Sequence, residues 1–208
     1  MAIEATVFVV DDNLNVCQSL RALLESVGLA VETFTASEDF LAVYDPAHPG
    51  CLVLDVRPRH GKNGLDLQDE LCRRKATLPI IVLTGHGNVP TSVRALKAGA
   101  VDFLQKPAPP KLLLERIRAA LETDRQARAA ATERAAVINQ LAHLTPRERQ
   151  VMESLIAGET SKEIAGALGL SVRTVEGHRR MVFLKLHVSS AAQLVSIVLN
   201  ARGAPARA

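Results

Sequence analysis

Three carboxylates, one hydroxyl and one ammonium stand at matching places in this chain, each just after a short apolar run. Thr6-Val-Phe-Val-Val10 ends in Asp11-Asp12, and Cys51-Leu-Val-Leu54 ends in Asp55. Leu78-Pro-Ile-Ile-Val-Leu83 ends in Thr84, and Val101-Asp-Phe-Leu104 leads to Lys106-Pro107. A short apolar run stopped by a polar residue reads as a buried strand that delivers one side chain to a sheet's edge. Carboxylates crowded at such an edge repel one another, so the cluster implies a hard cation. Oxygen ligands that leave several waters in place suit Mg²⁺. The chemistry this allows is transfer of a phosphoryl group to a carboxylate oxygen, the cation offsetting its charge. Thr84 and Lys106 would then hold the new phosphoryl oxygens.

Such groups meet only if their strands lie parallel and side by side, and the intervening sequence is built for that. Asn13 is the N-cap candidate, and Val16, Leu20, Leu23, Leu24 and Val27 recur at helical spacing until Gly28. Leu29 to Phe34 predicts a second strand, and Ser37 opens a short helix closed by Pro46. Leu65, Leu67 and Leu71 belong to the next helix, and Val89 to Ala98 predicts another, ended by Gly99. Five strands alternating with five helices over roughly 120 residues mean a parallel sheet covered on both faces. In such a doubly wound sheet the working groups gather beyond the carboxyl ends of the strands.

Residues 4 to about 123 resemble the receiver domain of two-component response regulators. The resemblance rests on Asp11-Asp12, Asp55, Thr84-Gly-His-Gly87, Lys97-Ala-Gly-Ala-Val-Asp-Phe103 and Lys106-Pro107. It implies a flavodoxin-like fold with Asp55 as phosphoacceptor and with Asp12 and Asp55 as Mg²⁺ ligands. It also implies the Arg57 carbonyl as a third ligand and Asp11 acting through water. Thr84 becomes the switch hydroxyl, Lys106 the phosphate-binding lysine and Phe103 the switch aromatic. One stretch departs from the family pattern. Members usually place Pro four and Gly eight residues after the phosphoacceptor, whereas here Pro58 comes three and Gly64 nine after Asp55. Arg57, Arg59, His60 and Lys62 make that loop basic.

From Lys111 to Leu141 there is no Gly or Pro, and Ala, Arg, Glu and Leu dominate, which predicts one long helix. Leu114, Ile117, Leu121, Ala131, Ala135 and Ile138 have coiled-coil spacing, interrupted by Asp124 and Arg128. A partial dimer seam and a solvated single helix are the two readings. Then Thr145, Pro146 and Glu148 form a capping box with Pro at the first helical position. Thr160 to Leu168 and Val172 to Lys185 are two short helices around a Gly169-Leu-Ser171 turn, and the second carries His178, Arg179, Arg180 and Lys185. That is the pattern of a helix-turn-helix.

Leu144-Thr-Pro-Arg-Glu-Arg149, Lys162-Glu-Ile-Ala165, Thr174-Val-Glu-Gly-His-Arg179 and Lys185-Leu-His-Val188 resemble the LuxR-type DNA-binding domain, over residues 143 to about 201. Receiver plus this output is similar to the NarL/FixJ subfamily of response regulators. The resemblance implies that Glu176, Gly177 and Arg180 face bases, while Lys162, Thr174, His178, Arg179 and Lys185 are phosphate-contact candidates. It also implies that the last helix, Ala191 to Ala201, packs the domain and offers a dimer face.

Charge supports two modules. Residues 1–123 carry 13 Lys and Arg against 15 Asp and Glu, and residues 124–208 carry 12 against 7. A basic rear suits a polyanion. No apolar run reaches the ~18 residues that would span a bilayer, and Cys17, Cys51 and Cys72 read as free thiols of a reducing cytoplasm. The expectation is a receiver at 1–123, a helical linker at 124–142 and an all-α output domain at 143–208. It would be a cytoplasmic transcription regulator with a sensor histidine kinase and double-stranded DNA as partners, and a homodimer on phosphorylation. Two alternatives stand beside it: a regulator indifferent to phosphate because of its altered loop, and a Mg²⁺-dependent phosphohydrolase. The latter typically shows an Asp-x-Asp after its first strand, which Asp11-Asp12 does not.

Overall fold

The computed structural model describes residues 4–56, 64–85 and 89–203. It divides into two compact units, residues 1–128 and 129–208.

In the amino-terminal unit the apolar runs are strands: β1 (Thr6–Val10), β2 (Ala30–Phe34), β3 (Gly50–Leu54), β4 (Ile80–Thr84) and β5 (Asp102–Gln105). They form a parallel sheet in the order β2-β1-β3-β4-β5. The order reverses between β1 and β3, and ligands of open α/β sheets bind in the crevice at such a switch point. Successive residues of each central strand feed opposite faces. Val7 and Val9 pack under α1 (Leu14–Glu25) and the start of α5 (Pro110–Ala142), against Leu20, Leu24, Leu113, Ile117 and Ala120. Phe8 and Val10 pack on the other face, against residues of α2 (Ser37–Val43), α3 (Gly64–Arg73) and α4 (Val89–Lys97), among them Phe40, Leu65, Leu71 and Ala95. Both faces are covered, as near-continuous apolar strands require.

The expected coiled-coil seam divides. Ile117 is fully buried in the sheet's core, and Leu114 and Leu121 pack against that core, so the first half of the seam is occupied within the unit. Ala131, Ala135 and Ile138 are exposed. Asp124 and Arg128, read as interruptions of a pattern, are a clamp instead. Asp124 is buried, and its Oδ2 accepts from the Gly50 N–H at 2.9 Å and from Arg128 Nε at 2.7 Å. The Arg128 guanidinium also donates to the carbonyls of Pro46, Ala47 and His48. A Cβ on Gly50 would lie 2.1 Å from the Thr6 carbonyl oxygen, so this strand start tolerates no side chain.

The carboxyl-terminal unit is helical: α6 (Pro146–Ile156), α7 (Ser161–Leu168), α8 (Val172–Lys185) and α9 (Ala191–Arg202). Thr145 and Glu148 make the expected capping box, and Thr160 with Glu163 makes a second one. Ser171 and Ser190 cap α8 and α9. Val151, Met152, Ile164, Val175, Val182, Leu194 and Val198 are the centre of its core. Gly169 closes α7 with φ 65° and ψ 37°, a left-handed conformation that glycine adopts without strain. No helix among the described residues is long and apolar enough to cross a membrane.

Candidate functional site

Register explains how the acids meet. Val10 pairs with Leu54 across β1 and β3, so Asp11 and Asp55 leave adjacent strands side by side. Backbone bonds from the Asp55 N–H to the Val10 carbonyl and from the Asp11 N–H to the Phe34 carbonyl hold the two strand ends in place. Lys106 follows β5, and its N–H donates to the carbonyl of Thr84, the last residue of β4, at 2.9 Å. From there its ammonium donates to Asp55 Oδ2 at 2.8 Å and to Asp11 Oδ2. Burial works against the Lys106 charge, but the hydrogen bonds it donates to Asp11 and Asp55 outweigh it and hold its pKa above the ordinary lysine value. Asp11 is 3% exposed and spends its other oxygen on the Asn13 N–H. Thr84 is fully buried, while Asp12 and Phe103 are half-buried.

Asp11 and Asp55 thus converge on one cation, an oxygen-only arrangement that suits a hard metal ion. Among the described residues no group of three or more His, Cys, Asp and Glu comes close enough to hold a metal by itself. Arg57 and most of the basic loop lie outside the described residues, as do His86 and Gly87. Gly64 has a clear role: a Cβ there would lie 2.2 Å from the Asp55 carbonyl oxygen. Only glycine lets α3 start against the backbone of the acid, whatever the length of the loop before it.

In the other unit α8 buries Val175 and Val182 and exposes Arg173, Glu176, Gly177 and Arg180. Thr174 is exposed and joined to the Ser171 cap. Lys162, on α7, is exposed. His178 and Arg179 are half-buried at the edges, and Arg179 lies 5.3 Å over the Phe183 ring and 3.7 Å from Glu176. Glu176 also accepts from the Ser161 hydroxyl, which ties the two helices of the motif together. Lys185 turns back into the unit, donating to Glu148 Oε2 at 2.7 Å and to the His143 carbonyl.

Residues 7–118 match the response regulator receiver domain, and residues 142–198 match the bacterial regulatory proteins of the luxR family. The chain is 44% identical to the transcriptional regulatory protein FixJ of Azorhizobium caulinodans, over 96% of this chain and 94% of that protein. It is 42% identical to the transcriptional regulatory protein TdiR of Thauera aromatica, over 94% of this chain and 86% of that one. Among solved structures it resembles the response regulator StyR, with a TM-score of 0.83, 42% identity and coverage of 94% of this chain and 98% of that one. Full-length FixJ from B. japonicum gives a TM-score of 0.59 at 36% identity over 97% of this chain and 99% of that one.

The chain is a response regulator. It joins a receiver to a LuxR-type DNA-binding domain, and it is a regulator of transcription. Membership disposes of the phosphohydrolase alternative, since the family regulates genes and is not one of enzymes. In this regulator two working features escaped the sequence. The Asp124–Arg128 clamp has partners more than 70 positions away, which local patterning cannot show. Lys185 has its acid on another helix, and a count of basic residues cannot separate it from an exposed lysine.

Proposed function

We propose that this regulator accepts a phosphoryl group on Asp55 from the phosphohistidine of a sensor histidine kinase and thereby changes its binding to double-stranded DNA. One observation carries the reading: Lys106 from β5 reaches both Asp11 and Asp55 across the switch point of the sheet, beside the hydroxyl-bearing end of β4. An oxygen of the Asp55 carboxylate attacks phosphorus, an acyl-phosphate bond forms, and the phosphorus–nitrogen bond to the kinase histidine breaks. Asp12, Asp55 and the Arg57 carbonyl would hold Mg²⁺, with Asp11 acting through water, and the ion would offset charge during the transfer. Lys106 then pairs with a phosphoryl oxygen and Thr84 donates its hydroxyl to another, while Phe103 at the adjoining strand responds to the change. Leaving the two acids frees Lys106 for this, so the ion pair is the resting arrangement of the switch.

The receiver spans residues 1–123, the linker 124–142 and the output domain 143–208. In the output, α8 enters the major groove with Glu176, Gly177 and Arg180 toward the bases. Lys162, Thr174, His178 and Arg179 serve the phosphates, and Lys185 holds the end of α8 in place. The regulator acts in the cytoplasm and binds its site as a homodimer once phosphorylated. Incubation with acetyl phosphate and Mg²⁺ tests the core of this. Intact mass should rise by one phosphoryl group, and the increment should disappear in Asp55→Asn. An equal gain of mass in the variant would assign the acceptor elsewhere.

A further inference from the structure

Four residues share the outer face of α8 at positions i, i+4, i+7 and i+11: Arg173, Gly177, Arg180 and Leu184. All four are exposed, and Val175 and Val182 on the opposite side are fully buried. The basic side chains of this helix fall into two groups. Arg179 leans over Phe183 and lies 3.7 Å from Glu176, which directs it to the edge of the face, and Lys185 is paired with Glu148. Arg173 and Arg180 make no hydrogen bond or ion pair among the described residues. A guanidinium is a planar fork of donors that matches the two acceptors of guanine in the major groove. Arg173 is the second residue of the helix, and the first turns of a recognition helix are those that reach base edges.

Gly177 lies between the two arginines. A Cβ added there would meet nothing within 4 Å, so the fold of the domain does not require glycine at this place. Glycine in a helix interior is the least favourable residue short of proline. An open, exposed glycine in the middle of a reading face is what a close approach of helix backbone to a ligand calls for.

We propose that Arg173 is a second base-reading residue, and that α8 reads two guanines across the gap left by Gly177. This rests on α8 occupying the major groove as set out above. Seven residues of helix advance ~10.5 Å and return to within ~20° of the same direction. With ~3.4 Å per base step, the two guanines stand about three steps apart.

The test uses the full chain, phosphorylated with acetyl phosphate, and selection of bound duplexes from a randomised DNA pool. Arg173→Ala should lose preference at one G·C position, by roughly 5- to 100-fold. Arg180→Ala should lose it at another position about three steps away. Arg173→Lys should keep the charge and the overall affinity but not recover the preference, because an ammonium is not a fork. Gly177→Ala should raise the denaturation midpoint of the output domain and weaken binding to the preferred site. Uniform weakening across all sequences by Arg173→Ala, with a shallower salt dependence, would make Arg173 a phosphate contact and overturn the proposal. Unaltered binding would overturn it too. If Arg180→Ala also leaves base preference unchanged, the groove placement of α8 is what has failed, and the two-guanine reading falls with it.

Discussion

In the receiver Lys106 is folded inward onto two acids, whereas in the output domain Arg173 and Arg180 stand in solvent with no partner among the described residues. Lys106 is 21% exposed at its side chain and holds Asp55 at 2.8 Å. Asp11, Asp12 and Asp55 outnumber that one ammonium, so on the proposed reading a small anionic ligand displaces the pair together with a cation that offsets the excess negative charge. A polyanion has the opposite demand. It arrives as an extended surface, and bases already tied to internal acids would have to be released first. The output domain keeps both kinds side by side, with Lys185 tied to Glu148 and Lys162 and Arg180 left outward. On the proposed reading, inward pairs set geometry and outward charges set affinity.

The most complete break of this contrast is Asp55→Asn. It should abolish the phosphoryl increment and any phosphate-dependent change in DNA binding, while hydrogen exchange of the output helices stays as in the wild type. Loss of protection in those helices would mean that Asp55 acts through folding, and the division into inward switch and outward reader would fail.

Next in size is the inward pair of the output domain. Glu148 is buried; burial raises its pKa, but the hydrogen bonds from Lys185 and Thr145 prevail and hold it below the ordinary carboxylate value. A depressed carboxylate contributes stability above its unfolded pKa, about 4.3, and loses that contribution as pH falls through the folded value. Glu148→Gln should therefore cost ~1.5–3 kcal/mol near neutrality. It should also flatten the acid limb of a stability–pH curve for the output domain. Lys106 has the reverse sign: its raised value adds stability below the ordinary lysine pKa, lost as pH climbs through the folded one. An unchanged acid limb in Glu148→Gln would show that the pair contributes nothing.

Smaller again is the effect of one outward lysine. Lys162→Ala should weaken binding to every sequence alike and reduce the salt slope by ~0.9, the share of one phosphate. Lys185→Ala should instead act on thermal stability, with the salt slope unchanged. Identical salt slopes for wild type and Lys162→Ala would remove Lys162 from the phosphate contacts.

The strand-end acids were legible because each closes a run of consecutive apolar residues, and the output helices because their caps lie within three residues of the helix start. Thr145-Pro-Arg-Glu148 needs no distant partner to be recognised. Asp124 and Arg128 sat in plain view but looked like flaws in a coiled-coil pattern, because their partners are the Gly50 N–H and a row of carbonyls far along the chain. Burial also separates the cysteines: Cys51 is pushed up to about 12 by its surroundings, Cys17 is raised by burial and by Asp11, and Cys72 is exposed. The apolar run of β3 marks Cys51 as buried, but no local pattern separates Cys17 from Cys72, both on helices.

Helix ends give the finest version of the same lesson, and the smallest predicted effect. Gly28 and Gly99 were readable as stops, and each, like Gly158, has positive φ in a closure where the next residue's N–H reaches back five positions. Two further helices end in the same way without glycine. After α3, Ala76 donates to the Leu71 carbonyl and Lys75 to the Cys72 carbonyl, with Lys75 at φ 55°. After α8, Val188 donates to Phe183 and His187 to Leu184, with His187 at φ 53°. This pair of bonds satisfies the last carbonyls of a helix and forces its pivot residue into the left-handed region. A side chain there costs ~1–2 kcal/mol, and glycine gives back part of the gain through its looser unfolded chain. Lys75→Gly should therefore stabilise the receiver, and His187→Gly the output domain, each by ~0.5–1 kcal/mol. Hydrogen exchange on the intact chain should show slower opening of α3 in the first variant and of α8 and α9 in the second. Because Lys75 and His187 belong to separate units, each gain should stay in its own unit, and the double variant should show both undiminished. A gain that spread to the other unit would mean that receiver and output unfold together.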